Sequence, residues 1–341
     1  MSASRFDVVG IGNAIVDIIG QCDDAFLAKH GLAKGHMKLI EAGEVQKLYG
    51  AMGAAIEASG GSAANTMAGI ASFGGRAGFI GKVADDEFGR IFGHDIRKQG
   101  VEFKTAVANG NAKGTAPTAR CLVLVTPDGE RTMNTFLGVS PLLDQGEVDP
   151  AVIQNARIVY LEGYLFDQAE AKAAFFQAAD IAKAAKAKVA LSLSDSFCVD
   201  RHRDAFLDLI RTRVDILFAN ESEMTALYQT KDSGAAVAAA RRDSAHKDGA
   251  ISVVTRGAKG SLILAGDRTV EVHCEPVAKV VDTTGAGDLY AAGFLYGYAK
   301  GQDLKTCGRL ASVAAAEIIS HIGARPQTPL AALARQAGLP V

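Results

Sequence analysis

Short apolar runs alternate with longer helix-like stretches over most of this chain, and that rhythm limits its fold more than any other feature. The runs at residues 6–10, 77–81, 158–162, 190–194, 216–219, 251–255 and 261–265 have the length of strands. They are almost continuously apolar, as expected of strands buried on both faces. Helical patterns at residues 62–73, 169–187, 203–212, 221–227, 234–246, 289–299 and 304–319 lie among them. Parallel strands need a crossover rather than a tight turn, so this alternation implies βαβ units around a mostly parallel sheet. The chain has 341 residues, 48% of them hydrophobic, enough for a large core.

Two regions break the rhythm. Residues 15–52 hold only a short strand pattern, at 36–40. Residues 118–126 and 130–137 flank Pro127, Asp128 and Gly129, a hairpin turn signal. The expected organisation is a large α/β domain from residues 1–14, 53–112 and 138–341, with a small β-rich lid from 15–52 and 113–137.

Composition excludes several classes. The net charge is −2, with no basic excess to suit nucleic acid. Five scattered cysteines never form a C-x-x-C pair, and the seven histidines are dispersed, which argues against a disulfide framework or a transition-metal site. No segment approaches the roughly 18 apolar residues of a membrane span. Met1 to Arg5 lead into the first strand without a signal-peptide stretch, so a cytoplasmic protein is expected.

The chemistry concentrates where strands meet helices. Val280 and Val281 end a strand-like segment, and a helical pattern starts at Leu289. Between them Gly285, Ala286 and Gly287 leave backbone N–H groups bare, which with the helix dipole attract an anion. Asp288 beside that cradle would repel phosphate unless it must take a proton from an alcohol that then attacks the phosphorus. The plain alternative is a turn with an acidic residue favourable to the dipole by about 0.3–1 kcal/mol.

Other polar turns surround it in sequence. Gly60 and Gly61 open a helix and allow close backbone approach, and Asn65 offers a donor and an acceptor to a hydroxyl. Gly10 and Gly12 tempt a dinucleotide reading, but Ile15 stands at the third glycine position, so NAD is rejected. Asn13 and Asp17 are instead placed at a strand's C-terminal end, where Asp17 can grip a vicinal diol. Asn220 with Glu223 reads either as a capping box or as a pair orienting magnesium-bound waters. Thr255, Gly257 and Gly260, with Arg256 and Lys259 between them, suit a triphosphate at the sheet's edge or a plain turn. Neither a P-loop nor a G-x-S-x-G elbow is present.

GGSAAN at residues 60–65 and DTTGAGD at 282–288, with NESE at 220–223 and TRGAKG at 255–260, resemble the motifs of the ribokinase/PfkB family of carbohydrate and nucleoside kinases. The resemblance covers almost the whole chain. Within the family it is nearest to adenosine kinases, through GNAIVD, VDILFANESE, SLSDSF and IGARP. It implies a ribokinase-like α/β fold and ATP- and Mg²⁺-dependent transfer of a γ-phosphoryl group to a primary hydroxyl, best the 5′-hydroxyl of adenosine. The alternatives are another nucleoside, or a free sugar such as ribose or fructose.

By that resemblance Asn13 and Asp17 hold ribose hydroxyls, with Gly60, Gly61 and Asn65 completing the sugar pocket. Asp288 is the base, and Gly285, Ala286 and Gly287 form the anion hole. Arg131 on the lid reaches the transferred group. Glu223 and Asn220 hold magnesium through water, and Asp282 with Gly323 accommodates potassium. Where eukaryotic adenosine kinases stack a phenylalanine on adenine, this chain has Leu165, flanked by Tyr164 and Phe166; Tyr164 is named as the substrate contact, and the alternatives are that Phe166 replaces the phenylalanine or that the pocket favours another substrate. Asp195 stands where those enzymes have a small apolar residue. Partners are then a small-molecule acceptor and ATP, and the lid either pairs two subunits or closes over substrate.

Overall fold

The computed structural model describes residues 6–104, 108, 116–245 and 249–341. The expected start of the second lid segment, at 113–115, and the expected helix end at His246 lie outside them. Fourteen strands follow in chain order among the described residues: β1 (Phe6–Ile11), β2 (Ile15–Gln21), β3 (Met37–Leu39), β4 (Ala55–Gly60), β5 (Ala77–Ile80), β6 (Val101–Phe103), β7 (Ala119–Val125), β8 (Arg131–Phe136), β9 (Ala156–Glu162), β10 (Lys188–Ser192), β11 (Ile216–Asn220), β12 (Ile251–Thr255), β13 (Ser261–Ala265) and β14 (Arg268–Val272).

Nine of them form one sheet in the order β14-β13-β12-β11-β10-β9-β1-β5-β6. The seven from β6 to β12 are parallel, and β13 and β14 continue antiparallel at one edge. Alternate residues serve opposite faces. Val8, Ile158, Ala190, Ile216 and Val253 pack into one core, and Val9, Val159, Val189, Leu217 and Val254 into another. The helices Ser62–Ser72, Ala286–Ala299 and Leu304–Ile318 cover the first face, and Ala169–Ala184 and Ser196–Thr212 the second. Two covered faces explain why these strands show no polar alternation.

The helix Ala286–Ala299 is buried on nearly all sides. Small residues let its neighbours approach. A Cβ added to Gly69 would lie 2.6 Å from the Ala292 Cβ, and one on Gly293 2.5 Å from the Leu310 carbonyl. This tight packing carries the first turn of helix Ser62–Ser72 up to the first turn of helix Ala286–Ala299.

The smaller sheet has the order β3-β8-β7-β2-β4. The hairpin expected around Pro127–Gly129 is the antiparallel pair β7–β8. Two expectations give way here. β4 pairs with β2 in the small sheet, although residues from 53 onward were assigned to the large unit. Asp17 lies inside β2, not at the end of β1, because the chain reverses into a new strand after only Gly12, Asn13 and Ala14. One face of this sheet is covered by Leu27, Val45 and Leu48 of the helices Asp24–Lys29 and Ala42–Ala51. The other carries Ile15, Asp17, Ile19, Arg131 and Met133 by alternation, and looks toward the large sheet. A third expectation also fails: residues 280–281 are loop, not strand, and both valines are exposed.

Candidate active site

A cleft of about 650 Å³ runs across the C-terminal ends of neighbouring strands, where Asn13, Glu162, Ser192, Asn220 and Thr255 follow or end β1, β9, β10, β11 and β12. That is the position in which open α/β sheets bind ligands. Its roof is the lid's inner face, through Ile15, Met37, Leu39, Met133 and Thr135. Its floor includes Thr283 to Asp288.

Gly285 caps the helix Ala286–Ala299 at φ 79°, a left-handed conformation that favours glycine, and no side chain caps the N-terminus. Space beside Gly287 is open, with nothing within 4 Å of where a Cβ would stand. The Ala286 N–H donates to the Thr283 carbonyl at 3.2 Å, which leaves the N–H groups of Gly285 and Gly287 at the cleft floor to fit an anion. Asp288 stands in the same first turn of the helix. Its Oδ1 accepts from the Ser62 hydroxyl at 2.6 Å and its Oδ2 from the Asn65 amide at 2.9 Å. Thr66 donates to its carbonyl at 3.1 Å. Burial raises the Asp288 pKa, while Ser62, Asn65 and the charge of Arg325 oppose the rise. An oriented carboxylate with raised basicity, next to an anion cradle, is equipped to take a proton from an alcohol.

The glycines at the junction with the lid have steric reasons. Gly61 adopts φ 96°, and a Cβ there would collide with the Asn13 carbonyl oxygen. A Cβ on Gly60 would strike the Asp17 carboxylate. Asp17, Asn65 and Arg131 do not line the open cleft but lie beside it in a polar layer. Burial pushes the Asp17 carboxyl up to about 6, against the attraction of Arg325 and Arg131 and with the repulsion of Asp288. The Asn65 Oδ1 is buried and finds no hydrogen-bond partner among the described residues.

Asn13 is placed less freely than expected. Its Nδ2 donates to Glu162 Oε1 at 2.7 Å, and its Oδ1 accepts from Ser140 at 2.9 Å. Glu162 also accepts from the Asn13 and Ala63 N–H groups, so one buried carboxylate fixes the turn after β1 and the start of helix Ser62–Ser72. Burial lifts the Glu162 pKa to about 7. Sequence reasoning gave Glu162 no role; its signal was a lone carboxylate ending the apolar run of β9.

Arg131 projects from the lid and meets Asp282 at 2.9 Å in a buried ion pair that ties lid to body. Its Nε and Nη2 have no hydrogen-bond partner among the described residues. Potassium at Asp282 does not fit this arrangement. A guanidinium already sits on the carboxylate, and Gly323 faces it with an N–H donor at 3.2 Å rather than a carbonyl oxygen.

Asn220 and Glu223 form the full capping box: Nδ2 donates to Oε1 at 2.7 Å, and the Asn220 and Glu223 N–H groups bond the opposite side chains. Both residues also line the cleft, and burial raises Glu223 to about 7. Thr255 lines it too. Gly257 and Gly260 lie in the turn beyond and do not line it; the tight place is at Gly260, where a Cβ would strike the Val272 carbonyl. Beyond the ends of β9 and β10, Tyr164 and Phe197 line the cleft, 39% and 74% exposed. Leu165 and Phe166 are fully buried instead, Phe166 stacked on Phe206 at 4.2 Å. Phe197 was not anticipated as a site residue.

The sequence pattern described as "pfkB family carbohydrate kinase" matches residues 52–331. The chain belongs to that family. An uncharacterized sugar kinase from Archaeoglobus fulgidus is 30% identical over 268 residues, 76% of this chain and 98% of that protein. A solved adenosine kinase from Sinorhizobium meliloti is 50% identical, with a TM-score of 0.88 over 98% of this chain and 99% of that one. A probable sugar kinase from Rhizobium etli is 48% identical, with a TM-score of 0.89 over 99% and 100%. This pfkB kinase therefore has the ribokinase-like fold and is a phosphotransferase acting on a hydroxyl group. Kinases of this family use ATP and Mg²⁺. Among the described residues no helix is long and apolar enough to cross a membrane.

Proposed function

We propose that this kinase transfers the γ-phosphoryl group of ATP to the 5′-hydroxyl of adenosine, giving AMP. The observation that carries the reading is Asp288, held by Ser62 and Asn65 at the edge of the uncapped turn Gly285–Gly287. In this reading Asp288 takes the hydroxyl proton as the oxygen attacks. The N–H groups of Gly285 and Gly287 meet charge on the transferred group without rearranging, and that of Ala286 joins them only by sharing its bond to the Thr283 carbonyl. Asp17 and the Asn65 Oδ1 accept from the sugar hydroxyls, while Asn13 and Glu162 hold the glycine turns in place.

The acceptor end favours a nucleoside over a free sugar. Tyr164 and Phe197 on the body, with Met37 and Leu39 on the lid, expose apolar surface toward the same cleft. A flat base covers more of such surface than the C–H face of a free sugar does. The structural likeness to an adenosine kinase at 50% identity supports the same choice. The sugar-kinase name of the Archaeoglobus relative supports the second reading, a kinase of ribose, fructose or a related sugar.

Among the described residues no three His, Cys, Asp or Glu side chains are arranged to hold a metal. Magnesium keeps several waters, so Glu223 and Asn220 can hold it through them at the cleft wall. When bound it neutralises phosphate charge. The lid's inner face shields the reacting oxygens from water, which limits ATP hydrolysis.

Asp288→Asn tests the reading directly. It should lower kcat by at least about a hundredfold while ATP binding, followed by calorimetry, persists. Near-normal turnover would remove Asp288 as the base.

A further inference from the structure

The segment from Gly323 to Arg325 touches both halves of the site. The Gly323 N–H donates to Asp282, and Ala324 packs so close to Gly285 that an added Cβ there would lie 3.0 Å from the Ala324 Cβ. Arg325 then turns toward the lid junction. Its Nε donates to the Ser59 carbonyl and its Nη2 to the Ser59 hydroxyl, both at 3.0 Å. Ser59 is itself fixed, because its N–H and hydroxyl both donate to Asp95 Oδ2, at 2.9 and 2.6 Å. Two of the three guanidinium nitrogens are thus locked.

The third, Nη1, is buried and has no hydrogen-bond partner among the described residues. Such an atom is costly unless something meets it. Ser59 immediately precedes Gly60, whose missing side chain makes room for the Asp17 carboxylate. Arg325 is close enough to attract Asp17, Asp95 and Asp288, and among the described residues no ion pair joins it to Asp17 or Asp288. Asn65 Oδ1, on the residue that holds Asp288, is a second buried atom without a partner in this layer.

We propose that Arg325 is an acceptor-binding residue: Ser59 and Asp95 fix its guanidinium, and Nη1 donates to a sugar hydroxyl whose own O–H donates a hydrogen bond to Asp17. This rests on the reading of the cleft as an alcohol-phosphorylating site and adds a donor to it. A carboxylate only accepts, so a donor beside it separates a hydroxyl from a bare hydrocarbon position more sharply than Asp17 alone.

The test is a cycle of enzyme and substrate. In Arg325→Gln the KM for adenosine should rise roughly tenfold to a hundredfold, the usual range for losing a hydrogen bond to a charged group, with the KM for ATP unchanged. Of 2′-deoxyadenosine and 3′-deoxyadenosine, one lacks the hydroxyl that Nη1 meets. For that analogue the same substitution should change KM by less than about twofold. A penalty equal across all three acceptors, or no penalty, overturns the proposal. Should Arg325→Gln fail to fold by circular dichroism, Ser59→Ala removes the Nη2 partner and the hydroxyl's own bond to Asp95, and leaves the Ser59 carbonyl on Nε. It should give a smaller rise with the same analogue dependence, and an unchanged KM overturns the proposal equally. Wild-type enzyme inert toward adenosine would strike the functional reading instead, and the cycle run with ribose and 2-deoxyribose then decides for or against Arg325.

Discussion

Asp17 sits on the lid's inner face, with its carboxyl pushed up to about 6 by burial despite two nearby arginines. To grip a diol it must be ionised. The kcat/KM for the acceptor should therefore fall as pH drops through about 6, close to tenfold per unit once the group is mostly protonated. A profile flat down to about pH 5 would contradict the assignment. Folding responds with the opposite sense. The native pKa lies above the unfolded value of 3.8, so Asp17 favours the native state in acid and loses that contribution as pH rises through about 6. Asp17→Asn should accordingly raise the thermal unfolding midpoint at neutral pH while raising the KM for the acceptor. A lower midpoint, or an unchanged KM, would show that Asp17 is structural. The same tension applies to Glu162 and Glu223, both lifted to about 7 by burial. Glu162 differs in accepting three hydrogen bonds, which is why it fixes neighbours rather than meeting an acceptor.

At the scale of elements, the site depends on three tight junctions: helix Ser62–Ser72 on helix Ala286–Ala299, the β4 turn on β2, and the tail at Gly285. Gly61 shows the second most sharply. Its φ of 96° and the adjacent Asn13 carbonyl both exclude a Cβ. Gly61→Ala should destabilise the protein by at least about 1–2 kcal/mol, read from the urea midpoint. It should also weaken acceptor binding, because the turn carries Asn65; an unchanged midpoint would mean that the turn shifts freely. The sequence made Gly61 legible through its company of small residues. It made β2 and β4 far less so. β2 follows β1 after three residues and is interrupted by Asp17 and Gly20, so it reads as a frayed continuation. β4 carries Glu57, Ser59 and Gly60 among its six residues and has little strand character of its own. Their pairing is set by tertiary contact with β7 and with each other. The helix Glu87–Lys98 was also passed over, although Phe88, Ile91, Phe92 and Ile96 keep helical spacing, because two glycines dilute it. Arg325 and Phe197 lie in IGARP and SLSDSF, two segments that carried the resemblance, but nothing local gave either side chain a role. Each matters only because the fold brings it to the cleft.

The whole molecule is a mostly parallel sheet under a small β roof, and the catalytic turn, acceptor layer and apolar mouth all meet between the two. The Arg131–Asp282 pair joins the halves across that boundary. Breaking one partner of a buried pair leaves the other uncompensated, so Arg131→Ala should loosen the lid. Hydrogen exchange at β7 and β8 should rise, and ATP hydrolysis without acceptor should increase relative to transfer; unchanged exchange would deny the tie. The apolar mouth, by contrast, decides which alcohol enters. The most direct measurement is an ADP-formation screen with ATP and magnesium across adenosine, inosine, guanosine, ribose and fructose. Adenosine should give the highest kcat/KM, with AMP as the product. Turnover of ribose or fructose with all three nucleosides inert would contradict the account.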